Sequence, residues 1–203
     1  MTLELLIAFV AFAFVTSVTP GPNNTMLLAS GANFGLRRTL PHMLGISLGL
    51  MLLVLSVGLG LGQLFEQVPV LYSVLRYVGA AYLLYLAWKI ANAGAPNSQA
   101  SASGKPFSFL QAAAFQWVNP KAWIMAIGAI TTYTPQENFV VNVLLISALF
   151  AVVNCPTMSV WTVLGSLLRN WLQDAQRLRI FNIGMALLLV ASLYPIIADT
   201  GLF

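Results

Sequence analysis

The sequence predicts an all-α polytopic membrane protein: six transmembrane helices arranged as two inverted three-helix repeats, with helices 1 and 4 broken. Three observations carry this. Of 203 residues, 59% are hydrophobic and only 7% charged, against about 25% charged in soluble domains, and the mean hydropathy is +0.86. Uncharged runs from Leu5 to Leu36, Thr39 to Phe65, Asn138 to Leu168 and Ile180 to Ala198 each supply roughly the 20 apolar residues that a crossing needs. Finally, each half of the chain carries one proline-containing polar interruption inside an apolar stretch.

Charges and turn residues delimit six spans, about 4–34, 40–64, 68–92, 107–133, 138–168 and 178–198. The first starts after Met1-Thr2-Leu3-Glu4, which lacks the basic region of a cleaved signal, so it is expected to remain in the protein. It contains "TPGPNN", Thr19 to Asn24. Proline removes a backbone donor and clashes with the preceding turn, so Pro20 and Pro22 free backbone groups that hydrocarbon cannot satisfy and that must face protein or a cavity. Asn23 and Asn24 add donors and acceptors. The half-helix restarting there directs amides and a positive dipole end suited to a carboxylate.

Span two carries Gly45 with Gly49 and Gly58 with Gly62, small pairs that permit close helix packing within one chain or between two, leaving a homodimer open. His42 at its start is expected at the interface. Span three ends before "NAGAPNSQASASGKP", Asn92 to Pro106, which reads as a flexible linker. Span four holds "WVNPKAW", where Lys121 is the only charge between Lys105 and Glu137. A lysine at mid-membrane costs about 2.5 to 3.5 kcal/mol on insertion scales, which makes Lys121 a functional candidate, with Gln116, Asn119 and Pro120 around it. In span five, Asn154 and Pro156 form a further polar break, and Cys155 reads as a small buried hydrophobe. The five tryptophans read as core or interfacial anchors.

Order repeats between the halves. Pro120 follows Pro20 by 100 residues, and Gly184 follows Gly79 by 105. Each half has three spans, so the second enters the membrane the other way up, an arrangement common in secondary transporters. The whole chain, 1–203, is expected to be one transmembrane domain: repeat one about 1–92, linker about 93–106, repeat two about 107–203. Arg37, Arg38, Lys89, Lys105, Arg169, Arg177 and Arg179 cluster after spans one, three and five, so that side is cytoplasmic and both termini lie outside. Arg76 is the exception, placed to snorkel outward.

"TPGPNN", "GANFGLRRTLPHMLGISLG", "LRYVGAAYLLYLAWKI" and "FLQAAAFQWVNPKAW" together resemble the lysine exporter (LysE) superfamily in its RhtB branch. In pattern they are nearest to cysteine and O-acetylserine exporters, then to homoserine, threonine and leucine exporters. The resemblance implies a bacterial inner-membrane protein that exports amino acids or their derivatives, driven by the proton gradient. Thr19, Pro20, Gly21, Pro22, Asn23 and Asn24 of the first break, Gln116, Asn119, Pro120 and Lys121 of the second, and Asn154 are the expected substrate-binding residues. Lys121 and the amides near Asn23 would hold a carboxylate. Carbonyls freed by Pro20, Pro22 and Pro120, with the side chains of Asn23, Asn24 and Asn119, would hold an ammonium.

Other functions fit less well. The scattered cationic residues, net charge +4, make no nucleic-acid stripe. No carboxylate falls in mid-span, so neither an enzyme's titratable cluster nor an obvious proton carrier is present. One cysteine excludes dithiol chemistry, and no cofactor is implied. A divalent-cation exporter of the same superfamily would find Lys121 repelling its ion. A passive channel for small zwitterions remains the alternative.

Overall fold

The structure, a computed structural model, describes residues 1–61, 67–93 and 105–194. The expected linker, apart from its two ends, lies outside the described residues, as do Gly62, the end of the sixth expected span and the side chain of Arg76. Every regular element among the described residues is helical: α1 Leu3–Val18, α2 Pro22–Phe34, α3 Leu36–Ser56, α4 Pro69–Ala91, α5 Phe109–Phe115, α6 Pro120–Tyr133, α7 Phe139–Leu168 and α8 Ala175–Ala191.

Local chemistry sets the boundaries. Thr2 caps α1 by accepting from the Leu5 amide at 3.3 Å. The helix stops at Val18 because Pro20 cannot continue it, and Pro22 opens α2 at the first position, where a missing N–H costs nothing. The two halves bend by 56°. Gly35 alone joins α2 to α3, with φ +79°, a conformation that favours glycine. Arg37 and Arg38 therefore sit in the first turn of α3 rather than in a loop. Ser108 and Gln111 form a reciprocal capping box at α5. A tight turn at Gln116–Val118 and extended backbone at Asn119 separate α5 from α6.

By length and composition, α3 with its continuation to Leu61 and α7 are each able to cross a membrane, and α1 with α2 makes a third, broken crossing. This supports a polytopic helical membrane protein. Among the described residues the other three expected spans do not reach that standard: α5 and α6 are short on either side of their break, and parts of the third and sixth expected spans lie outside the residues described in full.

In a bilayer, lipid is as apolar as leucine, so helices associate through close packing and polar contacts rather than through exclusion of water. α7 is the central element, against α1, α2 and α3. A Cβ on Gly165 would overlap the Leu28 carbonyl oxygen and one on Gly31 the Thr162 carbonyl oxygen, so α2 and α7 touch backbone to backbone. A Cβ on Gly45 would overlap the Phe109 carbonyl oxygen, and one on Gly49 would lie 2.6 Å from Ala113 Cα. The first glycine pair thus closes α3 onto α5 of the same chain. The paired landmarks Gly79 and Gly184 differ: Gly79 is pressed against the Val118 carbonyl, whereas nothing lies within 4 Å of a Cβ on Gly184.

Two apolar clusters flank the breaks. Phe9, Leu53, Trp123, Ile146 and Phe150 form one, with Phe9 and Phe150 edge to face at 5.5 Å. Met26, Leu83, Leu86, Phe115 and Leu189 form the other. Trp123 is buried in the first, while Trp88 and Trp171 are exposed.

Candidate functional site

The end of α1 leaves carbonyls without helical partners, and the structure accounts for four in succession. Asn24 Nδ2 donates to the carbonyls of Ser17, Val18 and Thr19 at 3.0, 3.3 and 2.7 Å. Trp161 Nε1 from α7 also donates to Val18 at 3.2 Å. Lys121 Nζ donates to Thr19 at 2.6 Å and approaches the Pro20 carbonyl at 3.4 Å. The second break therefore delivers its ammonium to the C-terminal, partially negative end of the first half-helix.

Gly21 makes this approach feasible. Its backbone is extended, which any residue can adopt, but an added Cβ would lie 2.9 Å from Lys121 Cδ and 3.2 Å from Nζ. The two helix starts differ. Asn119 caps α6 by accepting from the Lys121 amide at 3.2 Å, whereas α2 has no side-chain cap behind Gly21 and Pro22. The first turn of α2 thus keeps amide capacity for a ligand.

Asn23 and Gln116 join the breaks by a reciprocal amide pair, Asn23 Nδ2 donating to Gln116 Oε1 at 2.8 Å and Gln116 Nε2 to Asn23 Oδ1 at 3.2 Å. Gln116 is fully buried and its Nε2 also donates to the Ala112 carbonyl at 2.9 Å. On the third side, Asn154 of α7 donates to Ser47 Oγ at 3.2 Å. Three buried oxygens, Ser17 Oγ, Asn24 Oδ1 and Asn154 Oδ1, have no hydrogen-bond partner. Buried polar atoms are rarely left so.

These groups surround one cavity. Of the residues expected from the sequence, Gly21, Asn23, Asn24, Gln116, Asn119, Lys121 and Asn154 line it. Thr19 and Pro20 contribute carbonyls to Lys121, while the Thr19 hydroxyl turns back to the Val15 carbonyl. Pro22 and Pro120 stand at the first positions of α2 and α6 and are not on the wall. The carbonyl accepting from the helix restart is that of Gly21, bonded to the Thr25 amide at 3.0 Å, so the acceptors that meet a cation are those of Thr19 and Pro20, just past the end of α1.

Sequence reasoning missed Thr16, Ser17, Leu50, Ala122, Met125 and Met158 on the same wall. Helical spacing held part of the signal: Met158 lies one turn beyond Asn154, and Met125 one turn beyond Ala122. His42 is not on this wall. It is buried at 1% exposure, with its ring 5.2 Å from that of Phe107. Phe107 arrives from beyond the linker and covers it. Among the described residues no group of metal-ligating side chains forms.

The family model for LysE type translocator matches residues 14–192. The cysteine/O-acetylserine efflux proteins of Escherichia coli (strain K12) and Shigella sonnei (strain Ss046) are each 35% identical over 192 residues, covering 94% of this chain and 96% of theirs. No solved structure matches. A match spanning both breaks and nearly the whole chain carries the conclusion: this chain, a membrane transporter rather than an enzyme, belongs to the LysE type translocator family.

Proposed function

We propose that the protein exports a small zwitterionic amino acid, of the cysteine and O-acetylserine kind, across the bacterial inner membrane, driven by the proton gradient. The observation that carries this reading is Lys121, whose ammonium rests on the Thr19 and Pro20 carbonyls beside the uncapped start of α2. The lysine occupies acceptors that suit a substrate ammonium. An arriving amino acid takes those carbonyls and the partnerless Asn24 and Asn154 oxygens with its own ammonium. Lys121 then turns to its carboxylate, which the α2 amides share. A cationic side chain beside Lys121 would be repelled, whereas Met125, Met158 and Leu50 suit a short uncharged one. The relatives named for cysteine and O-acetylserine efflux support the same substrate class.

The reading extends to architecture: six crossings in a single domain, as inverted repeats over about 1–92 and 107–203 joined by a linker over about 93–106, with both termini periplasmic. The test uses purified protein in liposomes with a panel of labelled amino acids, with and without an imposed pH gradient. Accumulation of L-cysteine or O-acetyl-L-serine beyond equilibrium, only when the pH gradient is present, is the expected result. Equilibration alone would make the protein a channel, and no movement of any amino acid would refute export.

A further inference from the structure

A second cavity, open to one side, lies against the next turns of the same half-helix that carries Asn23 and Asn24. Met26, Ala29, Ser30 and Asn33 of α2 form one wall; Ser30 stands about 10 Å along the helix axis from Asn23 at the usual rise per residue. His42 of α3, the end of α4 and the strand of chain before α5 complete it.

Most polar groups on this wall already have partners. Ser30 Oγ shares a hydrogen bond with Thr39 at 2.9 Å, and Asn33 donates to the Ala29 carbonyl at 2.8 Å and to Asn182 Oδ1 at 3.0 Å. His42 has none: both ring nitrogens are buried and without a hydrogen-bond partner among the described residues. At the rim stand two exposed cations, Lys89 and Lys105. Lys89 Nζ lies 6.0 Å from the centre of the Phe107 ring, the ring that also packs, tilted, against His42 at 5.2 Å. Among the described residues no carboxylate pairs with either lysine. A neutral imidazole always carries one N–H donor, and here His42 lines the same cavity as two cations that no described carboxylate pairs, Lys89 resting only over the Tyr85 and Phe107 rings. The ligand chemistry that completes the set is an anion on a small organic body.

We propose that this cavity is a loading subsite, in which the carboxylate of the exported amino acid is held by Lys89 and Lys105 and accepts from His42 before the substrate moves one to two turns along α2 to the central cavity. The inference rests on the export reading above. It gives the cations of the cytoplasmic side a task in capture, and it explains the orphaned imidazole.

The test compares wild type with the double variant Lys89→Gln/Lys105→Gln and with His42→Asn, measuring uptake of radiolabelled L-cysteine into inside-out and right-side-out vesicles. KM at the cytoplasmic face should rise about tenfold, as for loss of a charge-assisted contact, while KM at the opposite face stays unchanged. Lys89→Arg/Lys105→Arg should restore it. Unchanged KM, or a loss of maximal rate alone at equal amounts of inserted protein, would overturn the proposal. Repeating the comparison in liposomes with and without anionic phosphatidylglycerol separates sources of the anion. A shift seen only with the anionic lipid would make a headgroup the occupant and overturn the substrate assignment.

Equilibrium binding of L-cysteine to purified Lys121→Ala protein provides the second readout, expected to persist there and to vanish when the Lys89 and Lys105 changes are added. Binding of that kind without transport by the wild type would remove the export reading and leave the site. Transport with no dependence on the two lysines would remove the site and leave the export reading.

Discussion

Lys121 is legible in the sequence because nothing else charged lies near it, and cost marks it: a buried cation must find acceptors. What the sequence hides is which acceptors. The pattern assigns carbonyls freed by Pro20, Pro22 and Pro120 to a substrate ammonium; in the structure Lys121 itself rests on those of Thr19 and Pro20, where α1 has ended and α2 consumes the Gly21 carbonyl internally. Likewise, Asn24 spends its amide on the carbonyls of Ser17, Val18 and Thr19 and leaves only its buried oxygen without a partner. On the exchange mechanism, Lys121→Gln keeps a donor for Thr19 but loses the charge that balances a carboxylate. Efflux per inserted molecule should fall to background, at least about a hundredfold, as when a charged partner is removed from a buried pair, while the amount in the membrane stays at or above wild type. Equal efflux would make Lys121 a tolerated structural charge. Gly21→Ala probes the same contact with less disruption. The Cβ meets the flexible end of a lysine rather than backbone, so the protein should remain inserted and its apparent substrate affinity change.

At the scale of elements, the breaks were foreseeable from Pro20, Pro22 and Pro120, but their junction depends on a pairing over 93 residues that no local pattern encodes. Of the second break's two side-chain amides, Asn119 and Gln116, one pairs with Asn23. Gln116 is the one that reaches it, because the tight turn at Gln116–Val118 rotates the end of α5 toward α2 while Asn119 folds back to cap α6. Cysteines placed by Asn23→Cys and Gln116→Cys in a Cys155→Ala background should therefore crosslink with a short reagent, and saturating L-cysteine analogues lacking a thiol should slow the reaction. No crosslink in folded protein would separate the breaks and end the common-site argument. The α2–α7 contact was not visible in sequence, since Gly31 and Gly165 are single small residues without a repeat between them. A leucine at Gly165 must displace the Leu28 backbone, and overpacking of this kind costs about 1 to 3 kcal/mol or more. The yield of monodisperse protein should drop, whereas Gly184→Leu, in open space, should leave it intact.

For the whole molecule, composition sufficed to read an all-helical membrane protein, because a chain with 7% charged residues has no other solvent to fold in. The number of crossings is harder to read. An uncharged run marks apolar length, but a break divides that length into pieces too short to qualify alone, as with α5 and α6, and only α1 with α2 regains a spanning length as a bent pair. Charge placement supplies the independent argument. Arg37 and Arg38 begin α3, Lys89 ends α4, and Arg177 and Arg179 lie in the first turns of α8. The other ends of α3 and α8 carry none, Arg76 about two turns into α4 being the exception, and the lysine and arginine bias sets orientation. Six crossings then require both termini on the side opposite these cations. A reporter active only outside the cytoplasm should give full signal when fused after Phe203 and none when inserted between Pro96 and Ser101. Signal at both positions would mean an odd number of crossings between them fails, and the inverted arrangement of the halves would fall with it. Signal at the insertion alone would reverse the protein in the membrane and turn the cavity rimmed by Lys89 and Lys105 from an entrance into an exit.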